Sequence, residues 1–253
     1  MPTRLIVRNQ AKAPVLPHAT LVEARFTDGP KLVDALGGID TVLFVSGFEA
    51  ADRLTQHQAF VDACVEAGVK RAVYTSFFNA SPDHTFTLAH DHFHTEAYLH
   101  DRGIGVAALR NNFYADILPF FVTNGVIRGP GGDGAFAPVA RDDIADVAAA
   151  LLADPAQPTG RYDLTGPALI TLNALAALLT KVGGAPVTYV EETVAEAYAS
   201  RAGFGVPQFE LDGWVTSYLA IAKGELARVT DTVERITGHP ATPVRTVLEA
   251  ALG

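Results

Sequence analysis

Apolar residues in this chain fall into short unbroken runs, separated by longer stretches in which they recur every third or fourth position. Unbroken runs suit strands covered on both faces, and three-to-four spacing suits helices that bury one side. Arg4–Arg8 and Thr20–Glu23 read as short strands. A helix is expected from about Asp28, with Pro30 in its first turn, Leu32, Val33 and Leu36 on one face, and Gly37-Gly38 as its stop. "TVLFVSG" (Thr41–Gly47) predicts a strand buried on both faces. An amphipathic helix follows, with Phe60, Val61, Cys64 and Val65 inward and Gly68 at its end. Arg71–Ser76 and Val106–Arg110 are the next strands, with a helix from about His90 to Asp101 between them.

After Tyr114 an apolar helix is expected to about Thr123, so that "GPGGDG" (Gly129–Gly134) turns the chain after a helix. Ile144, Val147, Ala148 and Leu151 have helical spacing, and "RYDLTG" gives another strand. Thr171 can cap a helix that buries Leu172, Leu175, Leu179 and Val182 and stops at Gly183. "VTYV" is a short strand, and the remainder is mostly helical, the last helix having Thr242 as cap and Pro243 at its first position. Strands alternating with helices define an α/β fold: a Rossmann-like parallel sheet over residues 1–165, then a small C-terminal α+β lobe over 166–253.

Composition narrows the partners. The formal charge of −9, without a cluster of Lys and Arg, argues against a nucleic-acid partner. No apolar run approaches the roughly 20 residues that span a bilayer. One cysteine, Cys64 on an apolar helix face, excludes an internal disulfide framework and fits a reducing, cytoplasmic setting. The expectation is a soluble chain acting on a small molecule.

In a doubly wound sheet, ligands sit beyond the carboxyl ends of the strands. The stretches to inspect are therefore Arg8-Asn9, Ser46-Gly47, Thr75–Phe77 and Arg110–Tyr114. Arg8 ends a strand that would stand second in a dinucleotide fold, where a guanidinium can pair with an adenosine 2′-phosphate. Phe77, Phe78 and Phe113 offer flat surfaces for a planar substrate. His90 and His94 are four apart, but no H-E-x-x-H pattern and no third ligand accompany them, so no metal is expected. No Tyr-x-x-x-Lys pair is present.

"VRNQAKA", "VLFVSG", "HQAFVDACVEAGVKRAVYTSF", "HFHTEAYL", "GVAALRNNFYADIL", "ARDDIADVAAALL" and "TGHPATPVRTVLEAAL" follow one another over nearly the whole chain. In this order they resemble the NmrA-like, atypical short-chain dehydrogenase/reductase family, in its NAD(P)H:quinone oxidoreductase type 2 branch. The resemblance implies NADP(H) as cofactor, held by Arg8, Lys12, Val45, Ser46, Gly47, Thr75, Ser76, Phe77, Phe113 and Arg141. It implies a quinone-like acceptor bordered by Asn112–Tyr114. Asn112, Tyr114 and His92 are then the candidates to hold the oxygen that gains charge. The absent Tyr-x-x-x-Lys relay fits this branch, whose other activity class is nucleotide sensing or partner binding without catalysis.

One departure stands out. The family opens with a strand, a G-x-x-G-x-x-G turn and a helix, about 25–30 residues by ordinary element lengths. This chain begins at what would be the second strand. The expected sheet therefore lacks its central strand, leaving a gap or forcing its neighbours to pair, and an open sheet edge promotes association between copies.

Overall fold

The computed structural model describes residues 3–252. Strand β1 (Thr3–Val7) pairs in parallel with β2 (Ala19–Glu23). Helix α1 (Pro30–Leu36) leads to β3 (Thr41–Phe44), α2 (Arg53–Ala67), β4 (Arg71–Phe77), α3 (Ala89–Asp101) and β5 (Gly105–Asn111). The chain then forms β6 (Val122–Thr123), β7 (Val126–Gly129), β8 (Ala135–Phe136), α4 (Arg141–Ala153) and β9 (Gly160–Leu164). It closes with β10 (Ile170–Thr171), α5 (Leu172–Gly183), β11 (Thr188–Glu191), α6 (Val194–Arg201), α7 (Gln208–Ala222), α8 (Thr232–Thr237) and α9 (Val244–Leu252).

The main sheet is parallel, in the order β3-β4-β5-β9. Alternation along β4 sends Ala72 and Tyr74 to one face and Val73 to the other, as a period of two requires. On the first face Phe44, Tyr74, Phe60, Val61 and Leu99 pack the sheet against α2 and α3. On the second, Val73, Leu109, Ile144, Val147 and Leu151 bring in α4. A third cluster lies beyond the carboxyl ends, where Phe77, Phe113 and Phe136 meet Leu172, Leu175 and Tyr218 of the C-terminal lobe. That lobe draws on residues 122–136 as well as on the later chain, because β7 pairs with β11 and β8 with β10.

The β1–β2 pair is a separate sheet. Arg4 ties it to the rest by donating from Nη1 to the carbonyls of Ala35 (2.6 Å) and Gly37 (3.1 Å) at the end of α1. Ile6 and Phe26 join the Phe44–Phe60 cluster. β1 and β3 do not pair with each other, and β3 has no ladder partner on its outer edge among the described residues. The expected double coverage of Thr41–Gly47 is therefore corrected. The strand ends at Phe44, Leu43 is 44% exposed, and Val45 is 58% exposed.

Two further expectations change. The segment after Tyr114 is a 3-10 turn, Ala115–Phe121, with Pro119 inside it, then a two-residue strand. Pro119 lacks the N–H that a continuing α-helix needs. Thr242 does not serve as a free cap: its N–H and hydroxyl both donate to buried Asp143, at 2.7 Å each.

The glycine-rich turn follows strand β7 rather than a helix, and its glycines serve packing. A Cβ on Gly129 would stand 2.5 Å from the Tyr218 ring, and one on Gly131 2.3 Å from Leu172. At Gly134 it would stand 2.2 Å from the Ile221 carbonyl oxygen, which is backbone and cannot swing aside. Gly134→Ala should therefore lower the unfolding free energy by about 1–3 kcal/mol. The urea midpoint measures this, with Gly183→Ala as control, since its Cβ would meet only Leu252 at 3.8 Å.

Candidate active site

The carboxyl ends of β3, β4 and β5 converge because their register is parallel, with Phe44 opposite Tyr74 and Phe77 opposite Asn111. Beyond them lies a cavity of about 350 Å³. Its sheet end is polar, with Ser46, Gly47, Ser76, Asn111 and His92, and its outer wall is apolar, with Phe77, Phe86, Leu88 and Phe113. A wider chamber of about 710 Å³ adjoins it, sharing Glu49, Phe86, Leu88, Phe113 and Ile117. Phe121, Phe204, Trp214 and Tyr218 make that chamber aromatic.

Local bonds fix the polar end. The Ser46 N–H donates to Thr75 Oγ1 (2.8 Å), and the Gly47 N–H donates to His57 Nε2 (2.9 Å). His57 Nδ1 lies 2.9 Å from the Thr95 hydroxyl, which itself donates to the Asp91 carbonyl (2.6 Å). His57 is thus a neutral wedge that sets the loop after β3. Burial, then the charge of Arg53, lowers its pKa to about 3. Beneath the sheet end, Arg110 forms a two-pronged ion pair with Glu96 (2.9 and 2.7 Å), and the Ser76 hydroxyl donates to the same carboxylate. Both Arg110 and Glu96 are buried, and Arg53 is buried beside Asp91, with Nε 3.2 Å from Oδ2.

The expected site residues separate into groups. Ser46, Gly47, Ser76, Phe77, Phe113, Tyr114, Asn112 and His92 all line the smaller cavity. Their free chemistry differs. Asn112 closes its amide on backbone, donating from Nδ2 to the Leu226 carbonyl (3.0 Å) and accepting from the Phe113 N–H (2.9 Å). His92 faces the Tyr74 hydroxyl through Nδ1 (2.9 Å) and the Thr75 backbone. Burial, then the nearby Arg53 charge, holds its pKa well below the usual value. Neither side chain is available as a proton donor. Tyr114 is half-buried, and burial raises its hydroxyl pKa, opposed by Asn111, Arg141 and Arg53 in that order. It remains a neutral O–H at ordinary pH.

Thr75 works by pinning Ser46, and Val45 is exposed outside the cavity. Arg8 is exposed and lies over the Phe48 ring, 4.8 Å from its centroid. Phe48 lines the cavity, so this contact carries the end of β1 to the rim of the site. Lys12 sits exposed in the 3-10 turn Gln10–Lys12. Arg141 begins α4, lines neither chamber, and pairs with Asp116 (3.3 Å).

Sequence reasoning missed Arg53, Glu49 and Glu210, and it covered Asn111 only as part of the stretch Arg110–Tyr114. The first three stand in α2, the loop after β3 and α7, with no spacing signal that joins them. At Glu49, desolvation raises the carboxyl pKa, Arg53 lowers it, and Glu210 and Asp91 raise it. Asn111 is the last residue of β5, and no sequence signal set it apart from its neighbours in that stretch.

The sequence pattern described as NAD(P)H-binding matches residues 1–155. The chain belongs to the NAD(P)H-binding family. Within this family it falls with quinone oxidoreductase type 2. It is 35% identical to quinone oxidoreductase 2 of Escherichia coli (strain K12), over 94% of this chain and 85% of that protein. The crystal structure of that enzyme complexed with NADPH matches with a TM-score of 0.89 at 34% identity, covering 99% of this chain and 90% of that one. An NAD(P)H azoreductase of Xenophilus azovorans is 30% identical over 95% of this chain and 86% of its own length. NmrA, a negative transcriptional regulator solved in complex with NADP, shares the fold at 15% identity, with a TM-score of 0.73 over 98% of this chain and 87% of its own.

The buried neutral His57 in this family member sets a pH dependence. Its folded pKa lies below the ordinary 6.5, so the unfolded chain binds more protons between 6.5 and about 3. Stability present above pH 6.5 is therefore lost as pH falls towards 3. A His57→Gln variant should lose stability less steeply from pH 6 to pH 4, by up to about 1.4 kcal/mol per pH unit. Urea denaturation at stepped pH measures both slopes.

Proposed function

We propose that this protein is an NADPH-dependent oxidoreductase that reduces quinone-like acceptors. The carrying observation is the two-chambered cleft. Its polar end lies at the strand ends of an NAD(P)H-binding fold, and its aromatic end is wide enough for a flat acceptor. The membership of the family and the activities of the relatives support the same reading.

When bound, the cofactor supplies a hydride. The residues of this chain do the rest. Phe77 and Phe113 stand edge-on with centroids 5.5 Å apart, and Phe86 closes the group at 4.9 Å from Phe77 and 5.8 Å from Phe113. These walls keep water from the reacting region and favour a planar ring. The Tyr114 hydroxyl, neutral and on the cavity wall, donates a hydrogen bond to an oxygen that gains negative charge. A quinone asks little more of the protein, because its reduced anion is stabilised by its own ring. This explains how the site can work with His92 and Asn112 both committed elsewhere.

Selectivity for the 2′-phosphate falls to Arg8. Its guanidinium has no carboxylate partner among the described residues and lies over Phe48 at the rim. Phosphate pairs well with a guanidinium fork, and stacking on the ring holds that fork in place.

Steady-state oxidation of NADPH with 1,4-naphthoquinone tests the activity. Quinone-dependent turnover supports the reading, and nucleotide binding without turnover of any quinone would favour a sensor. Arg8→Ala should weaken NADPH binding about tenfold and leave NADH nearly unchanged. An equal loss for both nucleotides in calorimetry would remove Arg8 from the role.

A further inference from the structure

We infer that Asn111 reads the carboxamide of the nicotinamide ring and so positions the cofactor; this rests on the NADPH reading above. Asn111 is 1% exposed, yet both its Nδ2 and its Oδ1 find no hydrogen-bond partner among the described residues. Buried amides are rarely left so, because each unmatched atom carries its full desolvation cost. The side chain lines the smaller cavity, so a ligand there can reach it.

Its polar neighbours at the sheet end are already matched. The Ser76 hydroxyl donates to Glu96, His92 Nδ1 faces the Tyr74 hydroxyl, and Asn112 is closed on Leu226 and Phe113. The Asn111 amide approaches the Tyr114 hydroxyl closely enough to lower its pKa, but not in the geometry of a formed hydrogen bond, so both amide atoms remain open to a ligand.

The chemistry of the unmatched pair selects the ligand group. Asn111 presents a donor and an acceptor side by side. A quinone oxygen only accepts and would leave Oδ1 buried without a donor. A primary carboxamide carries both functions and satisfies both atoms. The place fits as well: Asn111 pairs with Phe77 in the β4–β5 ladder, at the polar end of the cavity and away from the wider aromatic chamber. That arrangement leaves the chamber to the acceptor.

Isothermal calorimetry of the full chain with NADP+ and with its 3-acetylpyridine analogue tests this, because a methyl group replaces the amide nitrogen in the analogue. The wild type should bind NADP+ about three- to tenfold more tightly. Asn111→Leu should bind both about equally. Without nucleotide this variant should melt about 2–4 °C higher than the wild type, because two unmatched buried atoms are gone. Equal affinities in the wild type overturn the proposal by themselves, whether or not the variant folds. So does a variant that keeps the discrimination, or one that melts lower and loses both nucleotides alike. No heat with either nucleotide from a folded wild type overturns the NADPH reading and this inference with it.

Discussion

The site depends on the ladder between β4 and β5. Seven consecutive pairs, from Arg71–Gly105 to Phe77–Asn111, hold two fully internal strands in parallel register. A shift of one residue would turn each side chain to the opposite face. Tyr74 would leave the helix side, Val73 would leave the α4 side, and Asn111 would no longer stand level with Phe77. Both cores and the polar end of the cavity thus follow from one alignment. The Arg110–Glu96 pair locks it from below, and breaking such a buried pair by removing one partner costs about 3–5 kcal/mol.

The polar residues around this ladder are organised by dryness. Arg53, His57, His92 and Glu96 are all buried, and each is answered by a backbone group, a hydroxyl or an opposite charge. Arg53 lowers the pKa of both His57 and His92, so the two imidazoles stay neutral and act as fixed hydrogen-bonding wedges. They shape the loops after β3 and β4 without bringing proton chemistry to the cavity. At the sheet end, Tyr114 and Asn111 are left as groups that can still bond to something within it.

Much of the fold was legible because it rests on periodicity. Apolar runs marked β3, β4 and β5, and helical spacing marked α2, α4 and α5, since both patterns follow directly from burying one or two faces. Thr171 was legible as a cap and accepts from the Ala174 N–H at 3.2 Å. The segment after Tyr114 was not, because its apolar residues suit a helix while Pro119 interrupts the hydrogen bonding. The role of the glycine-rich turn was also hidden. Gly129, Gly131 and Gly134 face Tyr218, Leu172 and Ile221, partners 41 or more residues away that no local pattern names.

The sequence by itself determined the alternation of strands and helices, the parallel sheet, and the strand-end stretches where ligands gather. These are local or periodic properties, written in neighbouring residues. Only the tertiary structure decided what each polar side chain is free to do. Asn111 and Asn112 are adjacent and chemically identical, yet the Leu226 carbonyl and the Phe113 N–H close one amide while the other faces the cavity unmatched. The donor side of Asn112 is satisfied by a carbonyl 114 residues away, and no reading of the chain in order contains that distance.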